Sequence, residues 1–260
     1  MLYPHSLLWH YLWVGPDLIL VGLAFLTWRR GLHRLFPAFF AYLIFEAVQG
    51  LTMWVMDVST SVVSDDEYWR SRILVLVLEA FVKLAVVWEL FSHILRQRLA
   101  LVESGRRLII YAGAVLLALA ATTAMRAPVL HYAILSYARI IAQSVYLIEA
   151  GLLLFVFLFA AHFHLAWDGR DFGIALGLSI SACVGLGTTA VITNGAFFPK
   201  RYLLDFLDMG TYHLCVLIWC YYLLSPKTWG AQSSDAVFPR ATSRDKIGLA
   251  RRFYPAPGAL

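Results

Sequence analysis

Charged residues are scarce in this sequence. They make up 14% of its 260 residues, whereas about a quarter of a typical soluble domain is charged. Cysteine is scarce as well: the three present, Cys183, Cys215 and Cys220, stand in apolar stretches and form no CxxC pair. The low charge argues against a soluble globular domain and against a disordered chain. The few, unpaired cysteines argue against a disulfide-rich scaffold and a cysteine metal site.

Apolar residues make up 61% of the chain and are gathered into seven stretches. Each stretch is close to the roughly 20 residues that a helix needs to cross a hydrocarbon core about 30 Å thick. The predicted spans are Leu7–Trp28, Leu35–Met56, Ile73–Leu95, Leu108–Ala124, Ile140–Phe163, Phe172–Ile192 and Leu204–Leu224. The sequence therefore predicts an all-α integral membrane bundle of seven transmembrane helices over residues 1–224.

The positions of lysine and arginine predict the orientation of this bundle. The first link carries Arg29, Arg30 and Arg34, and no lysine or arginine precedes the first span. Cytoplasmic loops carry an excess of these residues, so we expect the N-terminus outside and the C-terminus inside, in the plasma membrane (for a bacterium, the inner membrane). Basic residues on the opposite side, partly offset by acids, are Arg70, Arg72, Arg126, Arg139, Lys200 and Arg201. The N-terminus lacks the basic region and cleavage site of a removable signal peptide, so we expect the first span to be retained.

Residues 225–260 differ from the rest of the chain. They lack apolar runs, contain several Pro, Gly and Ser residues, and carry six basic against two acidic residues. This composition predicts a disordered, basic cytoplasmic tail that touches anionic lipid or a separate effector protein. The net charge of +5 thus arises largely from cytoplasmic loops and this tail. No basic groove interleaved with aromatic residues is present, so we expect no nucleic-acid binding.

Ionisable residues inside the predicted spans are the strongest indication of function, because each is costly in hydrocarbon unless it is paired, protonated or hydrated. Five spans place such a group near mid-membrane, and Glu79 lies one turn from Lys83 on the same helix face. The predicted ligand- or proton-binding residues are Asp17, Glu46, Glu79, Lys83, Glu149 and His213. With Glu89, five carboxyls face one lysine. Either a polar pocket binds a cationic or hydrogen-bonding ligand or relays protons, or protonated acids hold the helices together.

Known catalytic motifs do not occur in the sequence. It contains no HExxH, Walker loop or GxGxxG pattern, and the seventh span lacks the lysine that a retinal protein needs for its Schiff base. We therefore expect no enzyme, no catalytic residue and no metal site. A haem held by His93 with His162 or His164 is a weaker alternative, since these histidines all lie near the cytoplasmic side.

Two function classes remain for the bundle. The first is a sensor or receptor-like protein whose mid-membrane pocket recognises a small ligand or a proton. The second is a small transporter that couples to protons or cations through the same carboxyls. Spans one to three and five to seven have similar lengths, as in a three-plus-one-plus-three transporter. Residue identity between these halves is poor, which favours seven unrelated helices.

The third and seventh spans resemble those of a set of bacterial seven-helix membrane proteins of unassigned function. In the third span, LEAFVKLAVVWELFSHIL, the matching residues are Glu79, Trp88, Glu89, Leu90 and Phe91. In the seventh, YHLCVLIWCYYLL, they are Ile218, Trp219 and Cys220. Lys83 has no counterpart in that pattern. The resemblance implies a seven-helix topology and no particular chemistry.

Overall fold

A computed structural model describes residues 6–59, 63–96, 102–126, 133–193 and 201–225. By packing, the chain divides into Met1–Leu224 and Ser225–Leu260. The predicted cytoplasmic tail lies outside the described residues from position 226 onward. The fold below is therefore that of the first unit.

Within those ranges the secondary structure is helical and contains no strand, which confirms the all-α part of the prediction. A short 3₁₀ turn, Leu32–Arg34, joins the first two helices. The helices are α1 (Leu7–Arg29), α2 (Pro37–Val58), α3 (Asp65–Leu95), α4 (Val102–Arg126), α5 (Ala133–His162), α6 (Gly169–Thr193) and α7 (Arg201–Leu224). Each overlaps one of the predicted apolar stretches, although α2 begins two residues after the predicted start at Leu35 and α5 ends one residue before the predicted end at Phe163.

Three helices begin well before their apolar stretches do. The clearest is α3, which starts at Asp65 rather than at Ile73. Its start is fixed by a capping box: Ser64 Oγ accepts from the Glu67 backbone N–H at 3.3 Å, and the Glu67 carboxylate accepts from the Ser64 N–H at 3.0 Å. Hydropathy locates the part of a helix suited to hydrocarbon, whereas capping residues locate the helix end. The early start places Arg72 inside α3, not in a loop.

Six of the helices are long and apolar enough to cross a membrane, which gives the fold the character of a multi-pass membrane protein. α3 is not among these six, and its central part carries Glu79, Lys83 and Glu89.

Six helices form a closed ring. Around it, α1 packs on α2, α2 on α3, α3 on α5, α5 on α6, α6 on α7, and α7 on α1. The remaining helix, α4, lies outside this ring and packs mainly on α5. Helices α1 to α3 therefore have the same neighbour pattern as α5 to α7, with α4 between the two trios in sequence.

Apolar packing fills one half of the ring, where α2 begins and α7 ends. Trp219 is fully buried there and makes edge contacts with Phe39 and Tyr42, with ring centroids 5.6 and 5.7 Å apart. Its indole N–H donates to the Ile174 carbonyl at 3.4 Å. Gly177 permits this close approach, since a Cβ at that position would lie 2.2 Å from the indole nitrogen. We call this half the packed end.

Two charged side chains cap helix ends at the packed end. The Glu89 carboxylate on α3 accepts from the backbone N–H groups of Ala38 and Phe39, both at 3.0 Å, at the start of α2. Arg30 donates to the Leu224 carbonyl at 3.0 Å, at the end of α7. An anion at a helix N-terminus and a cation at a C-terminus both complement the helix dipole. These contacts tie α3 to α2 and the end of α1 to α7.

Candidate ligand-binding cavity

A cavity of about 440 Å³ lies inside the helix ring, in the half opposite the packed end. Its outer lining comes from the helix ends that meet there, including Trp9, Asp57, Trp69 and Asp205. We call this half the open end. The cavity reaches Lys83 at its floor, about 20 Å from Trp69 along the axis of α3 at about 1.5 Å per residue. A space of this volume holds a small organic molecule.

Lys83 lies at the floor of the cavity and forms two ion pairs there. Its ammonium nitrogen Nζ lies 2.9 Å from Glu79 Oε1 on the same helix and 3.0 Å from Glu149 Oε2 on α5. The Tyr146 ring also lies close to this ammonium group, with its centroid 5.4 Å from Nζ. All three charged side chains are buried, Lys83 being 4% exposed. This triad links α3 to α5, and its single cation is shared between two carboxyls.

Glu46 lies on α2 at the end of a chain of polar contacts. Arg72 donates to Gln49 Oε1 at 3.5 Å, and Gln49 Nε2 donates to Glu46 Oε2 at 2.7 Å. The other oxygen, Glu46 Oε1, is buried and has no hydrogen-bond partner among the described residues. Glu46 Oε2 is therefore bonded by the protein, whereas Glu46 Oε1 still lacks a hydrogen-bond donor.

Asp17 on α1 lies against the backbone of α2. A Cβ at Gly50 would lie 2.2 Å from Asp17 Oδ2, so only glycine leaves room for the carboxyl at this place. Gly50 is one turn from Glu46, which puts both carboxyls on the same wall of the cavity. Asp17 is 2% exposed, and its Oδ2 has no hydrogen-bond partner within the described part of the chain.

Aromatic side chains form much of the remaining wall. Trp9 and Trp13 are one turn apart on α1, with ring centroids 6.3 Å apart. Tyr212 on α7 also lines the cavity, and its hydroxyl is buried without a partner among the described residues. The cavity lining thus combines aromatic rings and a phenol hydroxyl with the two unsatisfied carboxyls.

The six predicted site residues divide into three groups in the structure. Asp17, Glu46, Glu79 and Lys83 all line the cavity. Glu149 on α5 does not line the cavity but forms an ion pair with Lys83, which does. His213 lies apart from the cavity: its ring packs against Tyr11, with the centroids 5.7 Å apart.

Sequence reasoning missed Arg72 as a site residue. The apolar stretch begins one position later, at Ile73, so hydropathy places Arg72 among the basic residues outside the spans. The structure places it in the cavity lining, beside Asp208. The expected balance of five carboxyls against one lysine is therefore wrong for the bundle interior, since a second cation is present. The capping pattern at Ser64 and Glu67, which starts α3 early, was the available signal.

Protein-family models, curated proteins and solved structures contain no match to the chain.

The histidines of the haem alternative have separate surroundings. His93 Nδ1 lies 3.3 Å from Asp171 Oδ1, and its ring contacts Phe36. His162 packs edge-on against Phe163, with ring centroids 4.9 Å apart. Over the described ranges, no group of three or more His, Cys, Asp or Glu side chains is arranged to hold a metal ion.

Proposed function

We propose that this protein is a non-enzymatic, sensor- or receptor-like membrane bundle that binds a small ligand in the cavity of the helix ring. The observation that carries the proposal is the pair of carboxyl oxygens, Asp17 Oδ2 and Glu46 Oε1, buried on one cavity wall without a partner among the described residues. Buried polar groups are otherwise nearly always hydrogen-bonded. A ligand in the cavity supplies the missing donors.

The proposal includes α3 as a seventh span, although its charges exceed those of an ordinary membrane helix. Glu79 and Lys83 face the bundle interior, where they pair with each other. The outward face of the same helix is apolar at helical spacing, and Phe81 on it is 67% exposed. Its other exposed apolar residues are Leu74, Val77, Leu78, Leu84 and Trp88. A helix with its charges inside the bundle and such a face outside is suited to lipid.

The proposed orientation has the N-terminus and the open end outside, and the packed end at the cytoplasm of the bacterial inner membrane. Arg29, Arg30 and Arg34 stand at the packed end. Two of the arginines that weakened this bias at the sequence level, Arg72 and Arg139, are helix residues that line the cavity or a smaller hollow of about 150 Å³ next to it. They therefore do not count as loop charges, which strengthens the bias.

The cavity is closed at its floor, and this favours a sensor over a transporter. Below the Lys83 triad lies the apolar packing around Trp219, Phe39 and Leu90. A dead-end site detects an outside ligand without passing it on. The signal then requires a separate effector protein, and the basic tail is the proposed contact. We also propose that the protein belongs with the bacterial seven-helix proteins of unassigned function that its third and seventh spans resemble.

A small proton- or cation-coupled transporter is the second candidate. The repeated neighbour pattern of α1–α3 and α5–α7, with α4 outside the ring, favours it. Transporters built from two repeats place their substrate between the halves and open to alternate sides.

A glycine pair tests the cavity proposal. Purified protein in lipid nanodiscs is screened for thermal stabilisation by a panel of amines, amino acids, organic acids, sugars and nucleosides. We expect at least one compound to raise the midpoint of thermal unfolding, because a ligand that binds only the folded state stabilises it. The Gly50→Ala variant, whose Cβ displaces the Asp17 carboxyl, loses this shift. Gly22→Ala on α1, where a Cβ meets no atom within 4 Å, keeps it.

The same compounds in proteoliposomes separate the two candidates. A sensor binds its ligand and gives no uptake, whereas a transporter gives uptake that Glu46→Gln abolishes. The cavity proposal fails if no compound shifts the midpoint, or if Gly50→Ala responds like the wild type.

A further inference from the structure

We infer that the cavity ligand is a small organic amine in its protonated form, whose N–H groups bind Asp17 and Glu46. This inference rests on the proposed ligand-binding function and adds the chemical class of the ligand. It comes from the side chains of the cavity, taken in three steps: hydrogen bonding, charge and shape.

The first step concerns hydrogen bonds. Asp17 is 2% exposed and Glu46 is 3% exposed, and each presents one oxygen that accepts no bond from the described residues. These two carboxyls share the wall at Gly50. In its ionised form a carboxyl only accepts hydrogen bonds, so a ligand that pairs with the charged form has to donate. A protonated amine donates in two or three directions and carries the charge that makes such bonds strong.

The second step concerns charge. The cavity is lined by more carboxyls than cations, and both of its cations already contact protein groups: Lys83 binds Glu79 and Glu149, and Arg72 binds Gln49. The lining carboxyls are Asp17, Glu46, Asp57, Glu79, Asp205 and Asp208. An anionic ligand meets repulsion from this lining, and a neutral one leaves its charge uncompensated. A cation is the ligand that this field favours.

The third step concerns shape. The cavity of about 440 Å³ is much larger than a bare metal ion needs. Trp9, Trp13 and Tyr212 line the same cavity as the two carboxyls. Aromatic faces attract organic cations and pack well against an apolar body. The expected ligand is therefore an ammonium group attached to an apolar or aromatic body, not an inorganic cation.

The test uses four probes that share one body and differ in one group. They are 2-phenylethylamine, its N,N,N-trimethyl derivative, 2-phenylethanol and phenylacetate, measured by equilibrium dialysis against the full-length protein in nanodiscs. We expect the amine to bind at least about tenfold more tightly than the alcohol, since a hydrogen bond to a charged group contributes roughly that much. The trimethyl derivative keeps the charge without N–H groups and binds more weakly than the amine. Phenylacetate does not bind.

Two substitutions test whether Asp17 and Glu46 cause the preference for the amine. Asp17→Asn and Glu46→Gln keep the side-chain shape and are each expected to weaken amine binding about tenfold. Glu103→Gln, an exposed carboxylate on α4, is the matched control and leaves binding unchanged. Gly50→Ala provides a second route to displacing the Asp17 carboxyl.

The outcomes separate this inference from the function on which it rests. If the alcohol or phenylacetate binds as tightly as the amine, or if the trimethyl derivative does, the amine assignment is wrong while the cavity still binds ligands. If Asp17→Asn and Glu46→Gln both bind the amine like the wild type, the assignment of the site is wrong. If the amine fails to bind while another compound of the wider panel stabilises the protein through Gly50, only this inference fails. If nothing binds, both fail.

Discussion

Replacing Lys83 with Met is expected to lower the free energy of unfolding by about 3–5 kcal/mol, because it leaves buried charge without its partner. Lys83 Nζ lies within 3.0 Å of carboxylate oxygens from both Glu79 and Glu149. All three side chains are nearly inaccessible, so the remaining carboxylates are poorly solvated. Methionine has a similar length and isolates the effect of the charge. Reversible unfolding in detergent micelles, followed by helical circular dichroism, measures the loss.

A triple variant is the matched control for this prediction. Glu79→Gln, Lys83→Met and Glu149→Gln together remove every charge of the triad, and the bundle should regain most of the lost stability. A buried ion pair replaced as a whole by neutral groups is often close to neutral in stability. If Lys83→Met alone leaves the unfolding free energy unchanged, the triad does not have the buried, paired arrangement described above.

Replacing Glu89 with Ala is expected to cost about 2–4 kcal/mol. The Glu89 carboxylate accepts two backbone N–H bonds, from Ala38 and Phe39, at the start of α2. Hydrogen bonds to a charged group contribute about 1.5–3 kcal/mol each, and removing the acceptor leaves two donors of the helix terminus unsatisfied. Glu89→Gln keeps the shape and one acceptor oxygen, so a smaller loss is expected.

The control for Glu89 is Glu103 on α4. Its carboxylate pairs with Arg107 four residues later, and both side chains are largely exposed. Exposed pairs of this kind contribute about 0–1 kcal/mol, so Glu103→Ala should change the unfolding free energy very little. Equal losses for Glu89→Ala and Glu103→Ala would show that Glu89 does not cap α2.

The helices themselves were predictable from the sequence. An apolar run of about 20 residues forms a helix in a bilayer because no other conformation satisfies its backbone within one segment. The prediction was weakest where the helix outruns its apolar part, as at Asp65 in α3. Hydropathy does not detect that extension, whereas the Ser64 capping box does.

The sequence predicts how deep each charged residue of the candidate site lies in the membrane, but not which way its side chain faces. Counting residues along a span gives the depth of a charge, and this brought Asp17, Glu46, Glu79 and Lys83 to one cavity. Which way a side chain faces depends on the rotation of its helix, and the sequence of a single helix does not fix that rotation within the ring. His213 shows the difference, because it belongs to the same predicted group and packs against Tyr11 instead. The fit of Asp17 over Gly50 joins two helices and has no local sequence signal.

The proposed cavity opens to the outside of the membrane and prefers cations. Ser181 on α6 lines this cavity, whereas Cys183, two residues along the same helix, is exposed on the outer surface of the bundle. Both lie in the apolar span Gly169–Ile192, so the two positions differ mainly in what they face. A Ser181→Cys variant with the three native cysteines replaced by Ala is compared with a variant that keeps Cys183 alone.

Both proteins are treated with membrane-impermeant thiol reagents, one cationic and one anionic, in right-side-out and inside-out vesicles. We expect the cysteine at position 181 to react in right-side-out vesicles only. We also expect a faster reaction with the cationic reagent, after correction for the reactivity of a free thiol, and little reaction at Cys183, which faces lipid. Reaction at position 181 in inside-out vesicles alone would show that the protein has the opposite orientation. No reaction at 181 from either side, or a preference for the anionic reagent, would contradict the cation-binding cavity.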